Sequence, residues 1–183
     1  DDQTPDLTSL PVLGEQLKKL DSHISEKGLP QAAKDDFEKH GVTINPEYAD
    51  DSTKEALEND PVLLIATHAQ LTNVIGIAGA LPPQREDIFI LGNSLYLGLG
   101  ENAVKHLIPV YGVANHKIGR NLRSWLWRKT GFERPPSSWL NAARANLDSL
   151  RIAEQKVNEG GLVVIFPDRS RDKDDSWFIG VGE

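Results

Sequence analysis

An α/β fold, in which a mainly parallel or mixed sheet is flanked by helices and preceded by a helical region, is the class this sequence predicts. Three observations predict it. Short apolar runs rich in β-branched residues, of the kind that sheets bury on both faces, recur at 62–66, 87–91, 108–111 and 162–166. Segments with helical spacing of apolar residues separate them, which calls for βαβ crossovers. Residues 1–60 differ in character: their signals are mostly helical, and they carry 15 acidic against 6 basic residues, while residues 61–183 carry 12 against 14. The expected organisation is a helical N-terminal region, 1–60, packed on an α/β domain, 61–183, around one main core.

Leu10, Leu13, Leu17, Leu20 and Ile24 recur at helical intervals over 9–27, and Gly28-Leu29-Pro30 supplies the stop. A second helix is expected over 31–40, then a short extended piece at Val42-Thr43-Ile44. Ser52-Thr53-Lys54-Glu55 reads as a capping box opening a third helix that runs to about Asn59. His23 and His40 read as solvated helix histidines. The first strand follows Asp60-Pro61 and runs into Thr67-His68. An apolar helix is expected over 69–80, closed by Leu81-Pro82-Pro83. The second strand, 87–91, leads to a helix over 94–107, and the third strand opens at Pro109, a residue that edge strands tolerate. A basic helix over 121–130 carries Leu122, Trp125 and Leu126 on one face. Pro135-Pro136-Ser137-Ser138 then caps a long helix whose apolar positions are Leu140, Ala143, Leu147, Leu150, Ala153 and Val157.

Composition excludes several chemistries. There are no cysteines, so disulfides, thiolate metal sites and cysteine redox chemistry are absent. The net charge of −7 and the lack of a nucleic-acid motif argue against a nucleic-acid partner. Residues 61–84 are uncharged, but His68, Gln70, Thr72, Asn73 and two prolines make a strand followed by a helix the better reading than a membrane span. With no signal peptide at its start, the chain is expected to be soluble and cytoplasmic, with the plastid stroma as its compartment if it is a processed form. It begins at Asp1 and lacks methionine, as a processed or partial form would.

The last strand, 162–166, ends at Pro167 and opens into a polar turn with Arg169 and Arg171. Open α/β sheets bind ligands at the carboxyl ends of their strands, and two guanidiniums there suit a phosphate or carboxylate, unless Asp168, Asp172, Asp174 or Asp175 pairs with them. Between 117 and 134 six bases face only Glu133, so an anionic ligand belongs to the second part of the chain. His68 stands where the first strand hands over to a helix. A neutral imidazole there can act as general base for a hydroxyl group, with Asn73 in reach to fix its tautomer, or can simply cap the helix. Two motifs are weaker than they look. Gly98-Leu99-Gly100-Glu101-Asn102-Ala103 fits a dinucleotide pattern but lies well past its strand and lacks the acidic residue about 20 positions on. Gly92-Asn93-Ser94 begins like a nucleophile elbow without its closing glycine, which weakens an esterase that would use Ser94.

Taken together, His68-Ala69-Gln70-Leu71-Thr72-Asn73, Gly119-Arg120-Asn121-Leu122 followed by Arg128-Lys129, and Phe166-Pro167-Asp168-Arg169-Ser170-Arg171 followed by Trp177-Phe178 resemble, in order and spacing, the glycerol-3-phosphate acyltransferases of the soluble plastid type. The resemblance covers residues 60–180. It implies an acyltransferase that moves a fatty-acyl group from coenzyme A or acyl-carrier protein to glycerol 3-phosphate or a lysophospholipid. In that reading the catalytic pair is His68 and Asn73, and Arg169, Arg171, Lys129 and Arg128 bind phosphate. It implies no cofactor and no metal; the acyl thioester is a co-substrate. Trp125 and Trp127 beside Arg123 and Arg128 suit either core packing or peripheral contact with an anionic membrane. The chain departs from the family in three ways. Asn73 stands for an aspartate, Asp168 replaces a Gly-Gly pair, and Glu183 comes before a further strand. The alternative implied by Asn73 is a catalytically silent member that binds a phosphorylated or acylated ligand.

Overall fold

The computed structural model describes residues 13–66, 71–94, 97, 99–111 and 139–167, with the backbone alone for 13, 71–73 and 139. Three helices come first: α1 (Leu13–Lys27), α2 (Leu29–Lys39) and α3 (Asp51–Asn59). Then follow β1 (Val62–Ile65), α4 (Leu71–Ala80), β2 (Ile88–Asn93), α5 (Glu101–Val104), β3 (Leu107–Val110), α6 (Trp139–Asn158) and β4 (Leu162–Ile165). The four strands form one parallel sheet in the order β1-β4-β2-β3. The fold is therefore α/β, and the sheet is parallel over the described residues.

Alternation along the strands divides the core. On one face, Leu162 and Val164 of β4 meet Ile88 and Ile90 of β2, Ala78 of α4 and Ala33 of α2. On the other, Val163 packs with Ile108 of β3 and Ala153 of α6. Leu162, Val163, Val164 and Ile88 have no exposed surface, and burying a side chain of this size contributes about 1.5–3 kcal/mol. As the apolar run suggested, β4 is covered on both faces.

Several boundaries differ from the sequence expectation, each for a physical reason. Gly28-Leu29-Pro30 both ends α1 and begins α2: Gly28 takes φ 80 and Pro30 fills a first-turn position, where its missing N–H costs nothing. The cap of α3 is Asp50, not Ser52; its Oδ1 accepts the Thr53 N–H at 2.7 Å and the Ser52 hydroxyl at 2.8 Å. Residues 42–44 form no strand. The helix expected over 94–107 shrinks to Glu101–Val104, because Gly100, at φ 133, starts it and β3 claims Leu107. Pro109 lies inside β3, which is an edge strand as its proline requires.

The largest differences concern β1 and α6. β1 was expected to be buried, yet Leu63 and Ile65 are 52% and 65% exposed, because β1 is the other edge strand and α6 contacts β3, β4 and β2. α6 turns its small residues, Ala142, Ser149 and Ala153, to the sheet and leaves Leu140, Leu147 and Leu150 exposed. Ser149 is buried because its hydroxyl donates to the Pro109 carbonyl at 2.6 Å, which permits a polar residue at that close approach.

Beside the apolar packing of α2, two polar anchors join the helical region to the rest of the described fold. Arg85, with 2% of its side chain exposed, donates to Asp87 Oδ1 at 2.9 Å and to the carbonyls of Leu57 at 2.8 Å and Gly160 at 2.9 Å. It thereby joins α3, β2 and the start of β4. Asp21 of α1 caps α5 from 81 positions away, its Oδ1 accepting the N–H groups of Asn102 and Ala103, each at 2.9 Å.

Candidate functional site at the carboxyl ends of β1 and β4

In a parallel sheet every strand points the same way, so the loops after the strands gather at one edge. β1 and β4 are immediate neighbours in that sheet, paired Val62↔Leu162, Leu63↔Val163, Leu64↔Val164 and Ile65↔Ile165. Pairing continues one residue beyond β1, where the Ala66 N–H donates to the Ile165 carbonyl at 2.9 Å. The two strands therefore finish level with each other. His68 is three residues after Ile65 in the chain, and Arg169 is four after Ile165.

Of the residues singled out from the sequence, His68, Arg128, Lys129, Arg169 and Arg171 lie outside the described residues, as do Trp125, Trp127 and the Asp168 turn. Asn73 is in the first turn of α4, described by its backbone alone. What is described at this edge is the pair of strand ends from which the histidine and the arginines follow. The other side of β4 is β2, paired Ile88↔Leu162 through Ile90↔Val164, and β2 leads to Ser94.

The described histidines lie elsewhere. His106 places Nδ1 2.9 Å from the Ile88 carbonyl, at the amino edge of the sheet and away from Ser94. His40 places Nδ1 2.8 Å from the Asp36 carbonyl, at the end of α2. His23 lies 3.7 Å from Asp35, whose carboxyl is held below its ordinary range chiefly by the hydrogen bond from Lys27 and then by that from Gln31. An open hollow of about 390 Å³ lies on the outer helices, lined by Lys18, Lys19, His23 and Lys39 together with Glu15 and Glu26. Its charges of both signs sit on the acidic N-terminal region, not at the strand ends.

Among the described residues no group of three histidine, aspartate or glutamate side chains could hold a metal ion. No described helix is long and apolar enough to cross a membrane. The sequence reading overlooked Asp21 and Arg85. Both work through partners distant in the chain, and neither belongs to a local motif that could have betrayed it. Comparison with protein-family models, curated proteins and solved structures found no match for this chain.

Proposed function

We propose that the protein is an acyltransferase of the glycerol-3-phosphate acyltransferase type, working at the carboxyl ends of β1 and β4. The observation that carries this reading is the level, parallel pairing of those strands, because it starts the His68 loop and the Arg169 loop from adjacent points of the sheet. The imidazole of His68 takes the proton of the acceptor hydroxyl. The freed oxygen attacks the thioester carbonyl, the new C–O bond forms, the C–S bond breaks, and the imidazolium returns the proton to the departing thiolate. Arg169, Arg171 and Lys129, with Arg128, hold the acceptor phosphate through charge-assisted hydrogen bonds. The acceptor is glycerol 3-phosphate or a lysophospholipid, and the donor is acyl-coenzyme A or acyl-carrier protein.

The test is saturation with each substrate in Arg171→Ala. The KM for the phosphorylated acceptor rises at least about tenfold, the equivalent of ~1.4 kcal/mol, while that for the acyl thioester stays near wild type. An unchanged acceptor KM removes the clamp.

Asn73 favours a second reading, a silent member that binds the phosphorylated or acylated ligand without turning it over. An amide gives the imidazolium no counter-charge, and the comparable aspartate-to-asparagine change in serine proteases costs about 10⁴ in rate. Asn73→Asp separates the two: strong activation of a feeble wild type marks a degenerate enzyme, and no change leaves the native residue competent.

A further inference from the structure

The leucines that α6 turns away from the sheet form a surface of their own. Leu140, Leu147 and Leu150 are 47%, 55% and 54% exposed. Counted at 100° per residue from the sheet-facing Ser149, they stand roughly 180°, 160° and 100° round the helix, in one sector roughly 80° wide. Ala143 and Glu154 fall inside that sector, and the partly exposed Val157 lies at its edge. The resulting spacing alternates between three and four residues, the pattern by which two helices interlock side by side.

We infer that this stripe is the contact between two copies of the chain, whose α6 helices pair antiparallel about a two-fold axis. Charge selects a second copy as the occupant. Glu154 interrupts the apolar stripe and Arg144 flanks it; both are exposed, and among the described residues neither has an ion-pair partner, whereas Arg151 is paired with Asp148 at 2.8 Å. Ten residues, ~15 Å along one helix, keep Arg144 and Glu154 from meeting within a chain. A two-fold axis passing between Asp148 and Ser149 brings them together across two chains. It sets Leu147 level with Leu150 of the second copy, Leu140 level with its Val157, and Ala143 level with its Glu154. Arg144, one residue further on, then reaches that carboxylate, and symmetry forms the same pair twice. Parallel, in-register pairing is disfavoured, because it sets Glu154 against its own copy in an apolar seam. The contact is small: one helix of 20 residues per chain offers less than the roughly 1,200–2,000 Å² of a standard interface. The dimer is therefore weak and reversible, and it forms at micromolar concentrations or above. The inference does not rest on acyl transfer, since association is read without substrate.

The test is sedimentation equilibrium of the full chain over a range from about 1 µM to 1 mM. The wild type is expected to pass from monomer to dimer. Leu147→Asn, at the middle of the seam, raises the dissociation constant at least about tenfold. Glu154→Arg does the same by setting it beside Arg144 of the second copy, and adding Arg144→Glu to that variant returns the constant to within about threefold of wild type. All three positions are exposed, so the substitutions leave the fold intact. A wild type that stays monomeric throughout overturns the inference. So does a dimer that tolerates Leu147→Asn, which assigns association to another surface, or a Glu154→Arg variant that Arg144→Glu fails to rescue, which excludes the antiparallel register.

Discussion

Ile65 and Ile165 stand side by side at the ends of two parallel strands although exactly one hundred positions separate them in the chain. That pairing makes one locality of two loops that the sequence keeps far apart. It also divides the environment of the pair unequally: the β4 strand is enclosed by neighbours on both sides and both faces, while β1 has one strand partner among the described residues and leaves Leu63 and Ile65 more than half exposed.

The inequality predicts contrasting costs for the same truncation. Leu162→Ala, at a site with no exposed surface, destabilises by about 2–5 kcal/mol, and Leu63→Ala, at a half-exposed site, by less than about 1 kcal/mol. Urea unfolding of the two variants decides it; equal losses would mean that β1 is covered as fully as β4.

Arg85 is expected to be the costliest charge to remove. Arg85→Met leaves the Leu57 and Gly160 carbonyls without their donor and should lower stability by about 2–4 kcal/mol. Lysine keeps the charge but loses the planar fork that reaches α3, Asp87 and β4 together, so Arg85→Lys recovers less than half of the loss. Chemical denaturation with full recovery by lysine would show that charge alone matters there.

Gly100 and Asp21 should prove coupled. A Cβ at Gly100 meets the Asp21 carboxylate, and φ 133 is a conformation that side chains rarely adopt. Gly100→Ala is expected to cost about 1–3 kcal/mol, and Asp21→Ala about 1 kcal/mol for the lost cap. The double variant costs less than the two together, since both break one contact. Strict additivity in a double-mutant cycle would contradict it.

The Asp50 cap gives stability a pH dependence of known sign. Hydrogen bonds from the Thr53 backbone and hydroxyl, then from Ser52, hold its carboxyl below the ordinary range. A lowered carboxyl contributes stability above its unfolded value and loses it as pH falls through the folded one. Thermal melting should therefore find Asp50→Ala less stable than wild type at neutral pH, with the gap closing under acid. A gap that is constant from neutral pH to pH ~2, below the ordinary carboxyl range, would exclude the carboxylate as its source.

How much was legible in the sequence follows from how local each signal is. β4 and its parallel setting could be read because its residues are apolar without interruption, the pattern that two-sided burial requires. The α6 stripe held at Ala153 and Val157, which pack on the sheet, and misled at Leu140, Leu147 and Leu150 for a physical reason. Leucine spacing locates an apolar face, but close packing on the sheet selected Ala142, Ser149 and Ala153, whose small size lets helix and strand approach, and a hydroxyl at 149 found its acceptor in Pro109. The Ser52 capping box failed because Asp50, two residues earlier, offers a stronger acceptor. Of the candidate site, the strand ends were legible as the termini of apolar runs, but their adjacency depends on strand order, which no local pattern encodes.

The most direct measurement is glycerol-3-phosphate-dependent release of free thiol from an acyl thioester by the intact chain, with His68→Ala in parallel. The account predicts acceptor-dependent release by the wild type and its loss, by at least about a hundredfold, in the variant. Equal release by both proteins, or none that depends on the phosphorylated acceptor, would contradict it.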